Sequence, residues 1–272
     1  MIWNVETPVR LDIDGVALEG RCFGPSPADR PTIVLLHEGL GCVALFRDFP
    51  QKLAEATGHG VFVYSRQGYG QSDPVALPRP LDYMTREAVD VLPKVLDAIG
   101  FRSGVLLGHS DGASIAALYP GNVQDHRIRG LILIAPHFFT EPEGLASIAA
   151  ARKAFDGGDL RARLARYHAD VDGAFRGWND AWLDPGFRDW NIAYAIDYIR
   201  VPVLAIQGAD DQYGTLAQID VIEDGLYAPL DRLIVEGAGH TPFLEKPEQT
   251  LAEITEYIAR LDRIEAAHVE VA

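Results

Sequence analysis

The stretch Val105-Leu106-Leu107-Gly108-His109-Ser110-Asp111-Gly112 sets a serine in the pattern G-x-S-x-G, between a short apolar run and a small-residue stretch, Ala113 to Tyr119. A serine hydroxyl attacks carbonyl carbon only when a neighbouring base takes its proton. A sharp strand-to-helix turn exposes that hydroxyl, and G-x-S-x-G in this context is the signature of such a turn. Gly108 and Gly112 let the two elements approach closely. The helix start behind Ser110 presents unpaired N–H groups, which favour negative charge developing nearby. In other surroundings the same five residues would be a tight turn with a surface serine, so the reading depends on the partners the chain supplies.

A base and an orienting acid are both available. His240 lies in Glu236-Gly237-Ala238-Gly239-His240-Thr241-Pro242, a glycine-rich loop directly after the apolar run Leu233–Val235. Loops at the carboxyl ends of strands are where open α/β sheets bind ligands. The run Val203 to Gln207 ends in Gly208-Ala209-Asp210-Asp211-Gln212, and either aspartate suits the acid. Both fall between serine and histidine, the chain order of the Ser–acid–His arrangement. An oxyanion needs two aimed N–H donors, worth about 3–4 kcal/mol each in other enzymes. The Asp111 backbone N–H follows the serine directly. The loop His37-Glu38-Gly39-Leu40-Gly41 follows the apolar run Thr32–Leu36, and its Gly39 is assigned as the second donor, with Leu40 as the alternative.

The elements that must hold these groups are legible as an α/β, doubly wound, mostly parallel sheet with an N-terminal β-hairpin. Val9–Ile13 and Val16–Arg21 alternate in polarity about an Asp14-Gly15 turn. Apolar runs at Thr32–Leu36, Val61–Tyr64, Val105–Leu107, Leu131–Ala135, Val203–Ile206 and Leu233–Val235 are separated by helical stretches. Continuous apolar strands of this kind are buried on both faces. The rhythm breaks between His137 and Arg200, where helical patterns around Leu145–Phe155 and Leu160–His168 precede an aromatic-rich piece. An unstructured loop of that length is improbable in a compact domain. The expected organisation is therefore a core of residues 1–136 and 201–272 with a helical cap, 137–200, inserted between two strands.

The 272 residues carry a net charge of −15, which disfavours nucleic acid and anionic membrane surfaces as partners. Two cysteines, Cys22 and Cys42, form no disulfide framework, and no Cys–His spacing marks a metal site. Met1 to Arg10 lacks the apolar run of a signal peptide, and no uncharged apolar stretch is long enough to span a bilayer. The expectation is a cytoplasmic protein, monomer or homodimer, that needs no cofactor or metal and takes a small-molecule ester.

Together these motifs resemble the α/β-hydrolase fold family over nearly the whole chain. His37-Glu38-Gly39-Leu40 stands where members usually carry His-Gly-x-Pro, and Ser65-Arg66-Gln67-Gly68-Tyr69-Gly70-Gln71-Ser72 is similar to their D-x-R-G-x-G-x-S loop. Gly208-Ala209-Asp210-Asp211 matches G-x-x-D and favours Asp211, while Gly239-His240 leads into Glu245-Lys246-Pro247, the family's E-x-P. The resemblance implies a serine esterase with a Ser110–His240–Asp211 triad and a helical lid. Glu38, Ser65 and Gln67 depart from the pattern, altering the support of the oxyanion loop without removing a catalytic group. Relatives that cleave carbon–halogen bonds or epoxides use aspartate at the elbow, so Ser110 excludes those chemistries. The G-x-S-D-G elbow also resembles hydrolases of α-amino-acid esters, in which an acid at the place of Asp111 meets the substrate ammonium. A first-turn carboxylate that stabilises its helix by about 0.3–1 kcal/mol is the simpler account of Asp111.

Glu38, Asp111, Phe138, Trp178, Trp182 and Trp190 are the candidate substrate contacts. His109 is expected to pack under the elbow and His37 to bond within its loop. His59, His126, His168 and His268 sit in polar contexts that point to solvent. Carbon–carbon bond hydrolysis of ring-cleavage diketones, lactone hydrolysis and thioester hydrolysis are rival chemistries for the same triad. Arg66, Arg176 and Arg188 are the cations a diketone's carboxylates would require. A non-catalytic binding protein on this fold is the remaining alternative.

Overall fold

The computed structural model describes residues 3–269, and the side chain of His268 lies outside the described residues. Its centre is one eight-stranded sheet in the order β1-β2-β4-β3-β5-β6-β7-β8. The strands are β1 (Val9–Ile13), β2 (Val16–Phe23), β3 (Thr32–Leu36), β4 (Gly60–Tyr64), β5 (Gly104–His109), β6 (Ile128–Ile134), β7 (Val203–Gly208) and β8 (Leu230–Val235). β1 and β2 pair antiparallel, as do β2 and β4, and every other pairing is parallel. Asp14 and Gly15 both have positive φ (54° and 82°), as a two-residue hairpin turn matching strand twist requires.

Period-two alternation divides the central strands between two cores. Ile33 and Leu35 of β3 face the layer that holds Phe46, Leu53, Phe243 and Tyr257, while Val34 and Leu36 face the layer of Leu96, Ile115 and Leu118. Helices cover both faces: α1 (Phe49–Thr57), α2 (Tyr83–Arg86) continuing through a π-helical turn at Glu87–Val91 into α3 (Leu92–Ala98), and α4 (Asp111–Asn122). Toward the C-terminus follow α8 (Ala217–Gly225), α9 (Pro242–Glu245) and α10 (Pro247–Val269). α4 is buried from Asp111 through Tyr119, which accounts for its small, apolar composition. Among the described residues no helix is long and apolar enough to cross a membrane.

Between β6 and β7 lie α5 (Pro142–Gly157), α6 (Leu160–Leu164), α7 (Val171–Trp182) and 3-10 turns at Pro185–Phe187 and Ala193–Tyr198. The described residues of this interval hold no strand, only an isolated Phe139–Asn191 bridge. α6 stops at Leu164 instead of continuing to His168, because His168 turns inward. Its Nδ1 accepts from the Gly70 N–H at 3.0 Å, and its Nε2 lies 3.0 Å from the Leu40 carbonyl. His168 and His59 are therefore buried, not solvated as their sequence contexts imply, whereas His126 is exposed. His59 is held by the Asp262 carboxylate of α10 at 3.0 Å.

The tightest strand contact is at the start of β5, where a Cβ on Gly104 would sit 1.8 Å from the Thr32 carbonyl oxygen. Gly104→Ala should force β3 and β5 apart and lower the unfolding free energy in urea by about 2–3 kcal/mol. An unchanged urea midpoint would show that the sheet yields there freely.

Candidate active site

β5 ends at His109 and α4 begins at Asp111, so Ser110 alone makes the turn, with φ 54° and ψ −121°. That conformation is costly for a residue with a Cβ and persists only where the surroundings enforce it. Here they do. A Cβ on Gly108 would lie 2.2 Å from the Gly112 carbonyl oxygen, and one on Gly112 would lie 2.1 Å from that of Leu36. The Ser110 N–H is paired with the Ile134 carbonyl at 2.9 Å. Asp111 is the first helical residue, so its N–H has no partner within α4.

The loop after β7 delivers Asp211 and the loop after β8 delivers His240. His240 Nδ1 stands 2.8 and 2.9 Å from the two Asp211 carboxylate oxygens. Gln207 Nε2 donates to one of those oxygens at 2.8 Å, and the Tyr213 N–H donates to the other at 2.8 Å. Burial pushes the Asp211 carboxyl up, but the bonds from His240 and Tyr213 outweigh it and hold the group below its ordinary value. Asp210 is exposed and ties only its backbone N–H to Ala238, so the pairing with His240 belongs to Asp211. Glu245 brackets the histidine loop, accepting from the N–H groups of Gly239 (2.7 Å) and Thr241 (2.9 Å).

The loop after β3 is braced from beneath by Arg66, which is fully buried. Its guanidinium donates to the carbonyls of His37 (2.5 Å) and Glu38 (3.1 Å), and its backbone N–H donates to His37 Nε2 at 3.0 Å. His37 Nδ1 then carries the proton and donates to the Glu38 carbonyl at 2.7 Å. Where the family pattern has an aspartate, Ser65 Oγ accepts from the Val43 N–H and donates to the Glu19 carboxylate of β2, both within 3.0 Å. A carboxylate from another strand thus replaces the one missing from the loop. Gly39 is pressed against α7: a Cβ there would meet Trp178 Nε1 at 2.1 Å.

These loops enclose a cavity of about 90 Å³. Glu38, Gly39, Leu40, Ser110, Asp111, Trp178, Trp182 and His240 all line it. Phe138 and Trp190 do not. Phe138 is fully buried in the core, and Trp190 stacks on Phe187 behind Trp182. Three further lining residues, His137, Ile148 and Tyr213, escaped the sequence reading. His137 and Tyr213 follow the ends of β6 and β7, the edge that already pointed to His240. Arg66 lies under the loop and Arg176 pairs with Asp156, and neither they nor Arg188 line the cavity. Asp111 is buried, with Oδ2 accepting from Tyr83 Oη at 2.5 Å, while Trp182 Nε1 donates to the same Tyr83 oxygen at 3.1 Å. Burial raises the Asp111 carboxyl above its ordinary value, against the pull of Arg66. Cys42 is inert, its thiol pushed by burial up to about 12.

A profile of the Alpha/beta hydrolase family matches residues 33–254, a span that includes the elbow, Asp211 and His240. The chain belongs to that family. Among relatives of this hydrolase, a proline iminopeptidase of Lactobacillus helveticus is 23% identical over 86% of the chain and 92% of its own length. A bifunctional esterase/perhydrolase of Acinetobacter calcoaceticus is 24% identical over 73% of the chain and 80% of its own. An esterase structure from Exiguobacterium antarcticum superposes with a TM-score of 0.74 at 20% identity, covering 93% of this hydrolase and 100% of that chain.

His137 carries a pH signature. Burial, helped by neighbouring His240, lowers its pKa to about 3, so the folded protein keeps it neutral while the unfolded chain protonates it below about 6.5. Between those values the unfolded state binds the extra proton, and stability falls as pH falls. In His137→Phe, the slope of urea-unfolding free energy against pH in that window should drop by about 1.4 kcal/mol per unit. An unchanged slope would mean that native His137 takes up the proton.

Proposed function

We propose that this hydrolase cleaves a small carboxylic ester through an acyl-enzyme intermediate on Ser110. The observation that carries the reading is a serine on an enforced strained turn, opening into the same cavity as an imidazole fixed by a buried aspartate. In this reading Asp211 holds His240 with Nδ1 protonated, leaving Nε2 to take the Ser110 proton. The serine oxygen attacks the ester carbonyl, and the N–H groups of Asp111 and Gly39 (or Leu40) receive the oxyanion. His240 returns the proton to the leaving alcohol. It then activates the water that releases the acid and regenerates Ser110.

Residues 137–200 act as the cap. Trp178, Trp182 and Ile148 supply its apolar contribution to the cavity wall, and the small volume favours a short acyl group. The cavity carries no cation suited to a diketone carboxylate, which makes an ester the better reading than a carbon–carbon bond. One observation favours an amine-bearing ester as a second reading: Asp111 Oδ1 has no hydrogen-bond partner and belongs to a residue of the cavity wall. Matched esters with and without an α-amino group decide it, since this reading requires a preference for the amine that Asp111→Asn abolishes.

On a panel of p-nitrophenyl esters, a lactone and a thioester, acetate should be preferred to decanoate and to the other bond types. Ser110→Ala should lose at least about 10³-fold in kcat/KM. Trp178→Ala should shift the preference toward longer acyl chains. Undiminished hydrolysis by Ser110→Ala would refute the mechanism.

A further inference from the structure

Directly beneath His240 lies a second carboxylate and imidazole that the proposed triad does not use. His109, the last residue of β5, is 1% exposed, and its Nε2 lies 2.7 Å from the His240 carbonyl oxygen. A carbonyl only accepts, so Nε2 carries a proton. The other nitrogen, Nδ1, faces Glu38 Oε2 at 3.5 Å and has no hydrogen-bond partner. In a neutral imidazole with Nε2 protonated, Nδ1 is a bare lone pair, and here it would point at a carboxylate inside the protein. That arrangement is repulsive unless a proton lies between the two groups.

We infer that Glu38 and His109 form a carboxylate–imidazolium pair that anchors the His240 loop through its backbone carbonyl and balances charge beside the His240 ring. The inference rests on His240 being the catalytic base. Two further charges lie near the loop that carries Glu38: Arg66 donates to the Glu38 backbone carbonyl at 3.1 Å, and the Glu19 carboxylate accepts from Ser65. Phe243 meets the His109 ring edge-on at 5.2 Å, and the His240 ring is 5.1 Å away. His137, which also feels His109, stays neutral down to about 3. On the Glu38 side, the Cys42 thiol is pushed up to about 12, and burial holds His168 below its ordinary value, hence neutral. Burial pushes the Glu38 carboxyl up, but His109 outweighs it and draws the group below its ordinary value, which favours the carboxylate form of Glu38.

The consequence is electrostatic. Proton transfer from Ser110 makes His240 an imidazolium about 5 Å from His109. An unpaired positive charge on His109 would oppose that step. An unpaired Glu38 carboxylate would instead favour the protonated form of His240 and weaken it as a base. The balanced pair does neither, so Glu38 and His109 are positioning residues acting through His240.

Two measurements on the full-length protein test this. The first is imidazole ¹⁵N NMR at pH 7. Both His109 nitrogens should be protonated, and Nδ1 should lose its proton in Glu38→Gln. A bare Nδ1 on wild-type His109 would overturn the pair. The second is the pH profile of kcat/KM for an ester substrate. His109→Gln should move the acid limb up by about one pH unit, and Glu38→Gln in the same chain should bring it back. A double variant no better than His109→Gln alone would show a merely structural role. If the NMR result holds while no ester is cleaved, the pair stands and the reading of Ser110 fails.

Discussion

The first turn of α4 lies so close to the ends of β5 and β3 that neither Gly108 nor Gly112 has room for a Cβ. Every other feature of the site follows from that approach. It forces Ser110 into a backbone region costing about 1–3 kcal/mol, a strain the fully buried β3 and β5 sustain. It also brings the loop that leaves β3 alongside the N-terminus of α4. Two sets of backbone N–H groups therefore flank the serine without any side chain being recruited for the purpose. A larger residue at either glycine would relax the turn and separate these donors together.

Around the elbow, buried polar groups are tied to one another across elements. Arg66 donates to the carbonyls of His37 and Glu38, so a buried cation becomes the brace of the loop after β3. Asp111, Tyr83 and Trp182 form a hydrogen-bonded chain from the first residue of α4 to the last residue of α7. His168 makes a second link, tying the segment between α6 and α7 to the Gly70 turn and the Leu40 carbonyl. The interval between β6 and β7 is thus bonded to the groups that surround Ser110. Its position and that of the loop after β3 are linked through specific side chains, in a medium where an unsatisfied polar group is expensive.

The sheet was legible because its inner strands are continuous apolar runs, and burial on both faces demands that composition. The elbow, His240 and Asp211 were legible because chain order and position after a strand constrain them. What sequence did not convey is long-range pairing. His59 and His168 sit among polar neighbours, yet each is buried by a partner far along the chain, Asp262 and Gly70 respectively. Glu19 takes over for the missing loop aspartate from β2, 46 residues before Ser65. Trp190 and Phe138 are aromatic like the true cavity residues, and composition alone cannot tell a cavity wall from the core behind it. Tyr213 and His137 carried a signal that went unread, since both follow the carboxyl ends of parallel strands.

A Ser110 nucleophile with His240 as its base leaves a covalent acyl group on the chain. Intact-mass spectrometry after rapid acid quench from a slowly deacylating activated ester, followed by peptide mapping, examines it directly. The account predicts one acyl group per chain, located on the peptide that holds Ser110, and lost in His240→Ala. Turnover of the ester with no adduct at Ser110, or an adduct that forms equally fast without His240, would contradict it.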